Sequence, residues 1–464
     1  MTFMHDGVHR TAEISSVLVS DYLRYQFYLS EDRPPSSQAL QDARDILRAQ
    51  ARFDGPEREV HVRVAEKHGC YYVDLCNEQR QIVEISTEGW RTINAKSSPV
   101  IFRRSAGMKA LPMPERGGSL GLIRHHVSAK DDESFVLLLA FLVGSLRPKG
   151  PYPVLELTGE QGSGKSTASR MIRAILDPSH VPISTCPRTE RDLVISAENA
   201  WMLAFDNLSG IPEWLSDAFC RLSTGGGFRV RAHYKNKEEV LFHEQRPLLL
   251  NGIDDITTRG DLADRCVSLH LCPIPHVQRK TEKELWRAFN ADYPKILGSL
   301  FDALSTALRR ESEVQLTHLP RMADFASFIV AAEPALPLPP GTFMRAYTGN
   351  RMRAHVDKVA SDFVASAIHK MLLREQEWVG TTTELLSQVT QRASQPLPRS
   401  FPTSHQALTA YLRRIMPALR GVGVQRESIE RTSERRAFRL SLKSVSSASP
   451  ASSATSGHKN DDME

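Results

Sequence analysis

The feature that most constrains the fold is a glycine-containing segment, GEQGSGKST, at residues 159–167. The apolar run VLEL precedes it and predicts a strand, and ASRMIRAIL follows it with the apolar spacing of a helix. Gly159, Gly164, Lys165 and Ser166 fit the spacing G-x-x-x-x-G-K-[ST]. Glycines let such a loop curl until its N–H groups converge on phosphate oxygens, and the helix adds the positive end of its dipole. The segment therefore predicts a loop that binds the phosphates of a nucleoside triphosphate.

Within this loop the charged and hydroxyl side chains have separate predicted roles. Lys165 is expected to reach the β- and γ-phosphates, and the Ser166 hydroxyl is expected to ligate Mg²⁺. The residues predicted to contact the nucleotide are Gly159, Glu160, Gln161, Gly162, Ser163, Gly164, Lys165, Ser166 and Thr167.

Two later strands end in polar residues suited to the same site. WMLAFDNL places Asp206 at the end of an apolar run, and this residue is the predicted second Mg²⁺ ligand, on a strand next to that of the loop. RPLLLNG places Asn251 directly after an apolar run, and this residue is predicted to hold the attacking water or, alternatively, only to start a turn. Asn207 can orient a water but cannot take its proton. Either a glutamate acts as the base, with Glu160, Glu198 and Glu213 as candidates, or hydrolysis is slow.

Composition excludes several other classes of protein. The chain has 464 residues, of which 41% are hydrophobic and 24% are charged, as is usual for soluble globular proteins. Its longest apolar run, residues 135–144, is too short to cross a bilayer and predicts a buried helix. The six cysteines are too few for a disulfide scaffold, and no secretory signal precedes the first elements, so we expect a cytoplasmic protein without a membrane span.

The succession GEQGSGKST, WMLAFDNLSG, RPLLLNGIDD and TTRGDLADR resembles the AAA+ motor of superfamily-3-like helicases. The likeness is greatest to bacterial and phage proteins that pair such a motor with a primase-polymerase on mobile elements, and it covers about residues 60–443. It implies ATP and Mg²⁺ as cofactors and a homo-oligomeric ring, a hexamer, with ATP held between subunits. By the same likeness Arg265, and second to it Arg259, would be an arginine finger, and Arg321 would be a lid arginine that senses ATP. A surface or structural ion pair is the alternative for each of these arginines.

Basic residues indicate where DNA would bind. Residues 228–245 predict a hairpin resembling one that projects into the channel of ring helicases, so Arg229, Arg231, Lys235 and Lys237 are candidate contacts to single-stranded DNA. A solvated hairpin is the alternative. Residues 361–443 hold 13 Lys and Arg against 7 Asp and Glu, which suggests an anionic partner such as nucleic acid or, alternatively, a solvated basic surface. Three helices and two strands there predict a winged helix that binds duplex DNA or a protein. Its candidate DNA contacts are Ser404, His405, Gln406, Arg413, Arg414, Arg435 and Arg436.

The predicted fold is α/β, with a P-loop NTPase core of AAA+-like type on a parallel sheet. The predicted divisions are an N-terminal α+β domain at 1–125, the core at 126–275, a helical lid at 276–360, a winged-helix-like domain at 361–443 and a disordered, serine-rich tail at 444–464. We expect an ATP-dependent DNA translocase or helicase that acts in the replication of a mobile element or phage. Any primase-polymerase that this replication needs would be a separate chain. The alternative is a DNA-binding AAA+ regulator or loader that uses ATP as a switch.

A possible zinc site was also considered. The usual zinc spacing is absent from the set Cys266, His270, Cys272 and His276, so core packing is predicted for these residues instead.

Overall fold

The computed structural model describes residues 1–5, 8–208, 210–231, 239–252, 260–392, 397, 401–429 and 437–443. Contacts divide the chain into two compact units, Met1–Arg351 and Met352–Glu464. The predicted serine-rich tail lies outside the described residues. None of the helices in the described ranges is long and apolar enough to cross a bilayer.

The N-terminal part of the first unit contains two hairpin strands, two helices and a small sheet. Its elements are β1 (Thr2–His5), β2 (Val8–Thr11), α1 (Val17–Glu31), α2 (Ser37–Phe53), β3 (Val60–His61), β4 (Val64–Lys67), β5 (Cys70–Asp74), β6 (Gln81–Ser86), β7 (Gly89–Asn94) and β8 (Ile101–Phe102). Strands β4 to β7 form an antiparallel sheet in sequence order, as their alternating apolar residues predict, whereas the strand pair β1–β2 was not predicted.

The central part alternates helices and strands. Its elements are α3 (Asp132–Gly144), β9 (Val154–Thr158), α4 (Lys165–Leu176), α5 (Glu190–Asn199), β10 (Leu203–Leu208), α6 (Glu213–Thr224), β11 (Phe228–Arg231), β12 (Glu239–Phe242), β13 (Leu248–Gly252), α7 (Gly260–Ala263) and β14 (Cys266–His270). Strands β10, β13, β9 and β14 lie in that order in one parallel sheet, which confirms the mixed α/β architecture. Helix α3 contains the long apolar run, and every residue of that run is buried, as predicted.

Helices cover both faces of the parallel sheet. On one face Leu155 and Leu249 lie in a core that also contains side chains of α3, α4 and three further helices, α8 (Glu282–Arg310), α9 (Ala323–Ala332) and α10 (Thr342–Ser361). On the other face Phe205 and Leu250 lie in a second core with α5 and α6. The strands are therefore apolar on both sides, as is usual for a parallel sheet.

The antiparallel sheet shares the first of these cores. Val73 and Ile85 belong to the same apolar cluster as Leu155, so the N-terminal sheet and the central sheet are joined by one continuous core. A buried ion cluster adds polar contacts between them. Arg63, on the turn before β4, donates from Nε to Asp177 Oδ1 at 3.0 Å, and Asp177 ends helix α4. Asp177 also accepts hydrogen bonds from the main-chain N–H groups of Trp201 and Met202, which precede β10.

The second unit has its own core and a three-stranded antiparallel sheet in the order β15-β17-β16. Its elements after α10 are α11 (Phe363–Glu375), β15 (Glu377–Thr381), α12 (Thr382–Arg392), α13 (His405–Gly421), β16 (Val424–Ser428) and β17 (Ala437–Leu442). Three helices and two final strands were predicted, but β15 was missed. Thr381 caps α12, because its hydroxyl accepts from Glu384 N at 3.3 Å.

Candidate functional site

The glycine-rich loop, residues 159–164, joins the carboxyl end of β9 to the first turn of α4. Gly159 has φ 144° and Gly164 has φ 77°, conformations that other L-residues rarely adopt. At Gly159 space matters as well, because a Cβ there would lie 2.7 Å from the Leu271 carbonyl oxygen and 2.9 Å from Ser163 Oγ. The predicted order of strand, loop and helix is therefore present, and the loop needs its glycines.

Two side chains of the loop are held close to its backbone. Lys165 Nζ donates to the carbonyl oxygens of Gly159 at 2.6 Å and Glu160 at 3.0 Å. The Ser163 hydroxyl is buried, with 2% of the residue exposed, and has no hydrogen-bond partner among the described residues. A buried hydroxyl without a partner is unfavourable, so this oxygen fits a ligand that the loop surrounds. Phosphate oxygens suit it, because both Ser163 and Lys165 can donate to them.

The loop opens into a pocket of about 380 Å³. Its lining comes from the loop, the start of α4 and the carboxyl ends of β10 and β13; the residues are Gln161, Gly162, Gly164, Lys165, Ser166, Thr167, Asp206, Asn207, Asn251 and Gly252. Ligands of open parallel sheets bind at this edge, where the strands end. Gly159, Glu160 and Ser163 belong to the loop itself, so the tertiary structure groups all nine predicted nucleotide contacts around one opening.

Asp206 reaches this opening from an unexpected strand. The prediction placed it on the strand next to that of the loop, but β13 lies between β9 and β10, so this adjacency was wrong. The carboxylate still lies close to α4, since Ser166 Oγ donates to Asp206 Oδ1 at 3.2 Å. The main-chain N–H of Asn207 donates to the same oxygen at 2.8 Å. Helix α4 packs against β10 as well as against β13 and β9, and this placement of the helix brings Ser166 to Asp206.

Ser166 and Asp206 could hold a magnesium ion. Magnesium typically takes one or two protein oxygens and completes its shell with water and substrate phosphates. A hydroxyl and a carboxylate at the mouth of the loop match that donor set. Within the described ranges no cluster of three or more His, Cys, Asp or Glu side chains could hold a metal ion. The predicted core packing is found for Cys266, whereas Cys272 is half-buried. For His270 the prediction was wrong, because this residue is exposed at the end of the edge strand β14.

Asn207 and Asn251 lie side by side at the ends of their strands. Asn207 has φ 58°, a left-handed conformation that asparagine tolerates better than most residues. Its N–H lies 3.5 Å from Asn251 Oδ1, while Asn251 Nδ2 donates to Ser169 Oγ at 2.9 Å. Asn251 is 2% exposed but lines the pocket. Ser169 is a residue that sequence reasoning missed, although its position four residues after Lys165 puts it on the same side of α4.

The three glutamates predicted as possible bases have different positions. Glu198 lies near the end of α5, which precedes the amino end of β10, so it is at the edge of the sheet opposite Asp206. Burial and the nearby Glu13 raise the pKa of Glu198. Glu160 is exposed within the loop, and Glu213 begins α6 after β10. Asp206 is the one carboxylate among the residues that line the pocket.

Two of the predicted arginines are not near the loop of their own chain. Arg265 immediately precedes β14, at the amino end of the sheet, and its Nη1 donates to the Asp261 carbonyl oxygen at 2.6 Å. Arg321 forms an ion pair with Asp264 at 3.0 Å, so it lies beside Arg265 and not beside the pocket. Arg259 lies outside the described residues. An exposed arginine that was not predicted, Arg279, lies next to the loop: its Nη2 would be 3.3 Å from a Cβ at Gly162.

The predicted hairpin is present in part. β11 and β12 pair antiparallel, with Phe228 opposite Phe242, and Arg229 is exposed on β11. The structure does not describe the side chain of Arg231, nor any part of Lys235 and Lys237.

Helix α13 of the second unit exposes Arg413 and Arg414, and the Arg414 guanidinium stacks 4.4 Å from the centre of the Tyr411 ring. Ser404 caps this helix by accepting from Ala407 N at 3.2 Å, and His405 and Gln406 are exposed in its first turn. Arg426 on β16 is an additional basic residue. Burial and then the charge of Arg413 lower the pKa of Arg426, so the two arginines are neighbours. Arg435 and Arg436 fall in a range that the structure leaves undescribed.

Comparisons with known proteins identify the two main segments. Residues 121–351 match the family model for the actinomycete integrative conjugative element replication protein, and residues 364–455 match the AICE RepA C-terminal domain. Two apo structures of the NrS-1 C-terminal region each cover 91% of this chain and 90% of their own, at 10% and 11% identity with TM-scores of 0.38 and 0.39, values too low to support an argument. Curated proteins give no match. The chain thus carries the replication-protein and C-terminal domains of the RepA proteins of actinomycete integrative conjugative elements, and is a replication-related protein of such an element.

Proposed function

We propose that the chain is an ATPase that moves along DNA, or unwinds it, when the integrative conjugative element replicates. One observation carries this proposal. Ser166 and Asp206, from a helix and a strand 40 residues apart in sequence, come within 3.2 Å at the mouth of the glycine-rich loop. A hydroxyl and a carboxylate beside the lysine of a glycine-rich loop are the groups that bind Mg²⁺ and phosphates in phosphoryl transfer from a nucleoside triphosphate.

In this proposal the chain's own groups bind and orient the substrate. Lys165 exchanges the Gly159 and Glu160 carbonyl oxygens for the β- and γ-phosphates, and the N–H groups of the loop contact the same anion. Bound Mg²⁺, held by Ser166 and Asp206, supplies positive charge next to the phosphates. Water attacks the γ-phosphorus, the bond to the bridging oxygen of ADP breaks, and the proton of the water passes to solvent.

We further propose that two subunits share each site in a ring, and that the ring is a hexamer. The residues that line the pocket include no arginine, whereas Arg265 and Arg321 lie at the opposite end of β14. An arginine so placed lies at the edge of the sheet away from the pocket of its own chain, so it would have to act at the site of a neighbour. Its permanent charge and forked donors suit the charge that develops on the γ-phosphate.

DNA is the proposed polymer on which the motor acts. Arginine side chains that can contact phosphates are those of Arg229 and of the neighbouring pair Arg413 and Arg426. The second unit has the order of helices and strands of a winged helix, with α13 as the helix that would contact duplex DNA. A separate primase-polymerase would synthesise the new strand.

A switch that binds ATP without unwinding DNA is the second candidate, and Asn207 favours it. Asp206 is the one carboxylate among the pocket residues, and it is committed to the metal in the first proposal. Hydrolysis without a dedicated base would be slow, and a slow ATPase suits a loader or regulator better than a processive motor.

ATP hydrolysis and strand displacement on a forked duplex would test these proposals together. Lys165→Ala and Asp206→Ala should abolish both activities, whereas Lys149→Ala, at an exposed lysine ahead of β9, should leave them unchanged. DNA-stimulated hydrolysis without displacement at any salt concentration would exclude the helicase and leave a translocase that does not unwind DNA, or the switch. Failure of the wild-type protein to bind ATP would exclude both.

A mixing experiment would test the shared site. When Arg265→Ala subunits are added to wild type, ring activity should fall more steeply than the wild-type fraction. A proportional fall would show that each subunit hydrolyses ATP independently.

A further inference from the structure

The Asn251 side chain connects two elements that line the pocket. Its Nδ2 donates to Ser169 Oγ on α4 at 2.9 Å, and its Oδ1 lies 3.5 Å from the main-chain N–H of Asn207 on β10. Ser169 is fully buried and Asn251 is 2% exposed, so water does not compete for the contact between them. The side chain of Ser169 therefore acts directly on the amide of Asn251.

Hydrogen-bond chemistry fixes which end of this amide faces the helix. The Ser169 hydroxyl donates its only proton to the Lys165 carbonyl oxygen at 2.9 Å, because a carbonyl can only accept. The hydroxyl oxygen can then only accept from Asn251, and the amide has donors on nitrogen alone. The NH₂ group must point to α4, and the carbonyl oxygen must point toward Asn207 and the pocket.

We propose that Ser169 is a positioning residue that sets the orientation of the Asn251 amide, so that Asn251 offers the pocket a hydrogen-bond acceptor. An acceptor can take a proton of a bound water and leave the oxygen lone pairs of that water free toward the phosphate. A reversed amide would offer NH₂, which would bind those lone pairs instead. This inference rests on the proposed ATPase function and adds a residue that acts through Asn251.

The same arrangement links α4 to β13, the strand that contains Asn251. Lys165, whose carbonyl oxygen accepts from Ser169, is also the residue proposed to reach the phosphates. A rotation of the amide would break both its contact with Ser169 and the alignment at Asn207. Three contacts thus hold the amide in this orientation, and none of them needs a bound nucleotide. They join Lys165, Ser169, Asn251 and Asn207.

Ser169→Ala removes the hydroxyl and leaves the buried space almost filled. Ser299→Ala is a matched control, because Ser299 is also buried in a long helix and donates to the carbonyl four residues earlier, at 2.8 Å from Lys295 O. We expect Ser169→Ala to lower kcat for ATP hydrolysis about fivefold, the effect of one neutral hydrogen bond. The dissociation constant of a fluorescent ATP analogue should stay within twofold, and Ser299→Ala should change neither value.

A positioning role of Ser169 can be told from a structural role by whether the effect of Ser169→Ala on kcat depends on Asn251. In an Asn251→Ala background, Ser169→Ala should cause no additional loss of kcat, because nothing remains for it to orient. An equal fivefold loss in that background, an unchanged kcat, or a parallel fall in nucleotide affinity would each overturn the inference. These outcomes differ from failure of the ATPase proposal, which would be seen in the wild-type protein.

Unfolding of the nucleotide-free protein tests the contact without relying on hydrolysis. If Ser169 and Asn251 are bonded as described, the destabilisation by the double substitution should be smaller than the two single effects combined. The inference would be overturned if each single substitution destabilised the protein and the double substitution destabilised it by the sum of the two. This outcome can be observed even if ATP is never hydrolysed.

Discussion

The buried carboxylate of Asp177 allows the most direct test of what holds the first unit together. It accepts a hydrogen bond from Arg63 Nε at 3.0 Å and forms an ion pair with Arg173, whose Nη2 lies 3.1 Å from Oδ2. The side chains of all three residues are at most 6% exposed. Burial by itself would raise the pKa of the Asp177 carboxyl, but the charges of Arg173 and Arg63 outweigh it and hold that pKa below its usual range. The carboxylate is thus charged in the folded protein.

Asp177→Asn should destabilise the first unit by about 3–5 kcal/mol, because it leaves two buried guanidinium groups without a counter-charge. The contrast is Asp45→Asn. Asp45 pairs with Arg48 at 2.7 Å, a shorter contact, but the two side chains are 51% and 55% exposed. Exposed pairs of this kind contribute about 0.5 kcal/mol or less. Burial, not distance, should therefore decide which substitution matters.

Denaturant unfolding followed by tryptophan fluorescence would measure both effects. Four of the five tryptophans lie in the first unit, so Trp378→Phe makes the signal specific to that unit. The reasoning would be refuted if Asp177→Asn lowered the free energy of unfolding no more than Asp45→Asn does.

Three further predictions follow from the same structure. Since the pKa of Asp177 is lowered on folding, its contribution is complete above its ordinary value of 3.8 and is lost as pH falls through the lower folded value. Acid titration of unfolding should therefore be less steep below about pH 4 in Asp177→Asn than in wild type. Gly159→Ala should weaken ATP binding at least tenfold by calorimetry, because its Cβ would meet Leu271 O at 2.7 Å; Gly107→Ala, with its nearest atom at 3.7 Å, is the control and should not. Arg426→Ala should weaken duplex binding and flatten its salt dependence, whereas Arg439→Ala, at an arginine already paired with Glu377 at 2.9 Å, should have a smaller effect; equal effects would contradict a phosphate contact at Arg426.

The sequence by itself determined the local elements around the loop. The spacing of Gly159, Gly164 and Lys165 between an apolar strand and an amphipathic helix has one common structural solution, and β9 and α4 have the predicted positions. The alternation of strands with helices predicted the parallel sheet for the same reason, since helices must cover both faces of apolar strands. These conclusions hold because periodicity and turn geometry depend on residues that are near one another in the chain.

Only the tertiary structure decided the order of strands and the partners of each polar side chain. Nothing local to β13 indicates that it lies between β9 and β10, and no spacing pairs Ser169 with Asn251 or Arg321 with Asp264. Strand β15 was missed because its five residues, EWVGT, are too few to show a clear period. The contacts of Asn251 with Asn207 and with Ser169 join residues 44 and 82 positions apart. Such contacts are set by how whole elements pack, which is why local patterns do not contain them.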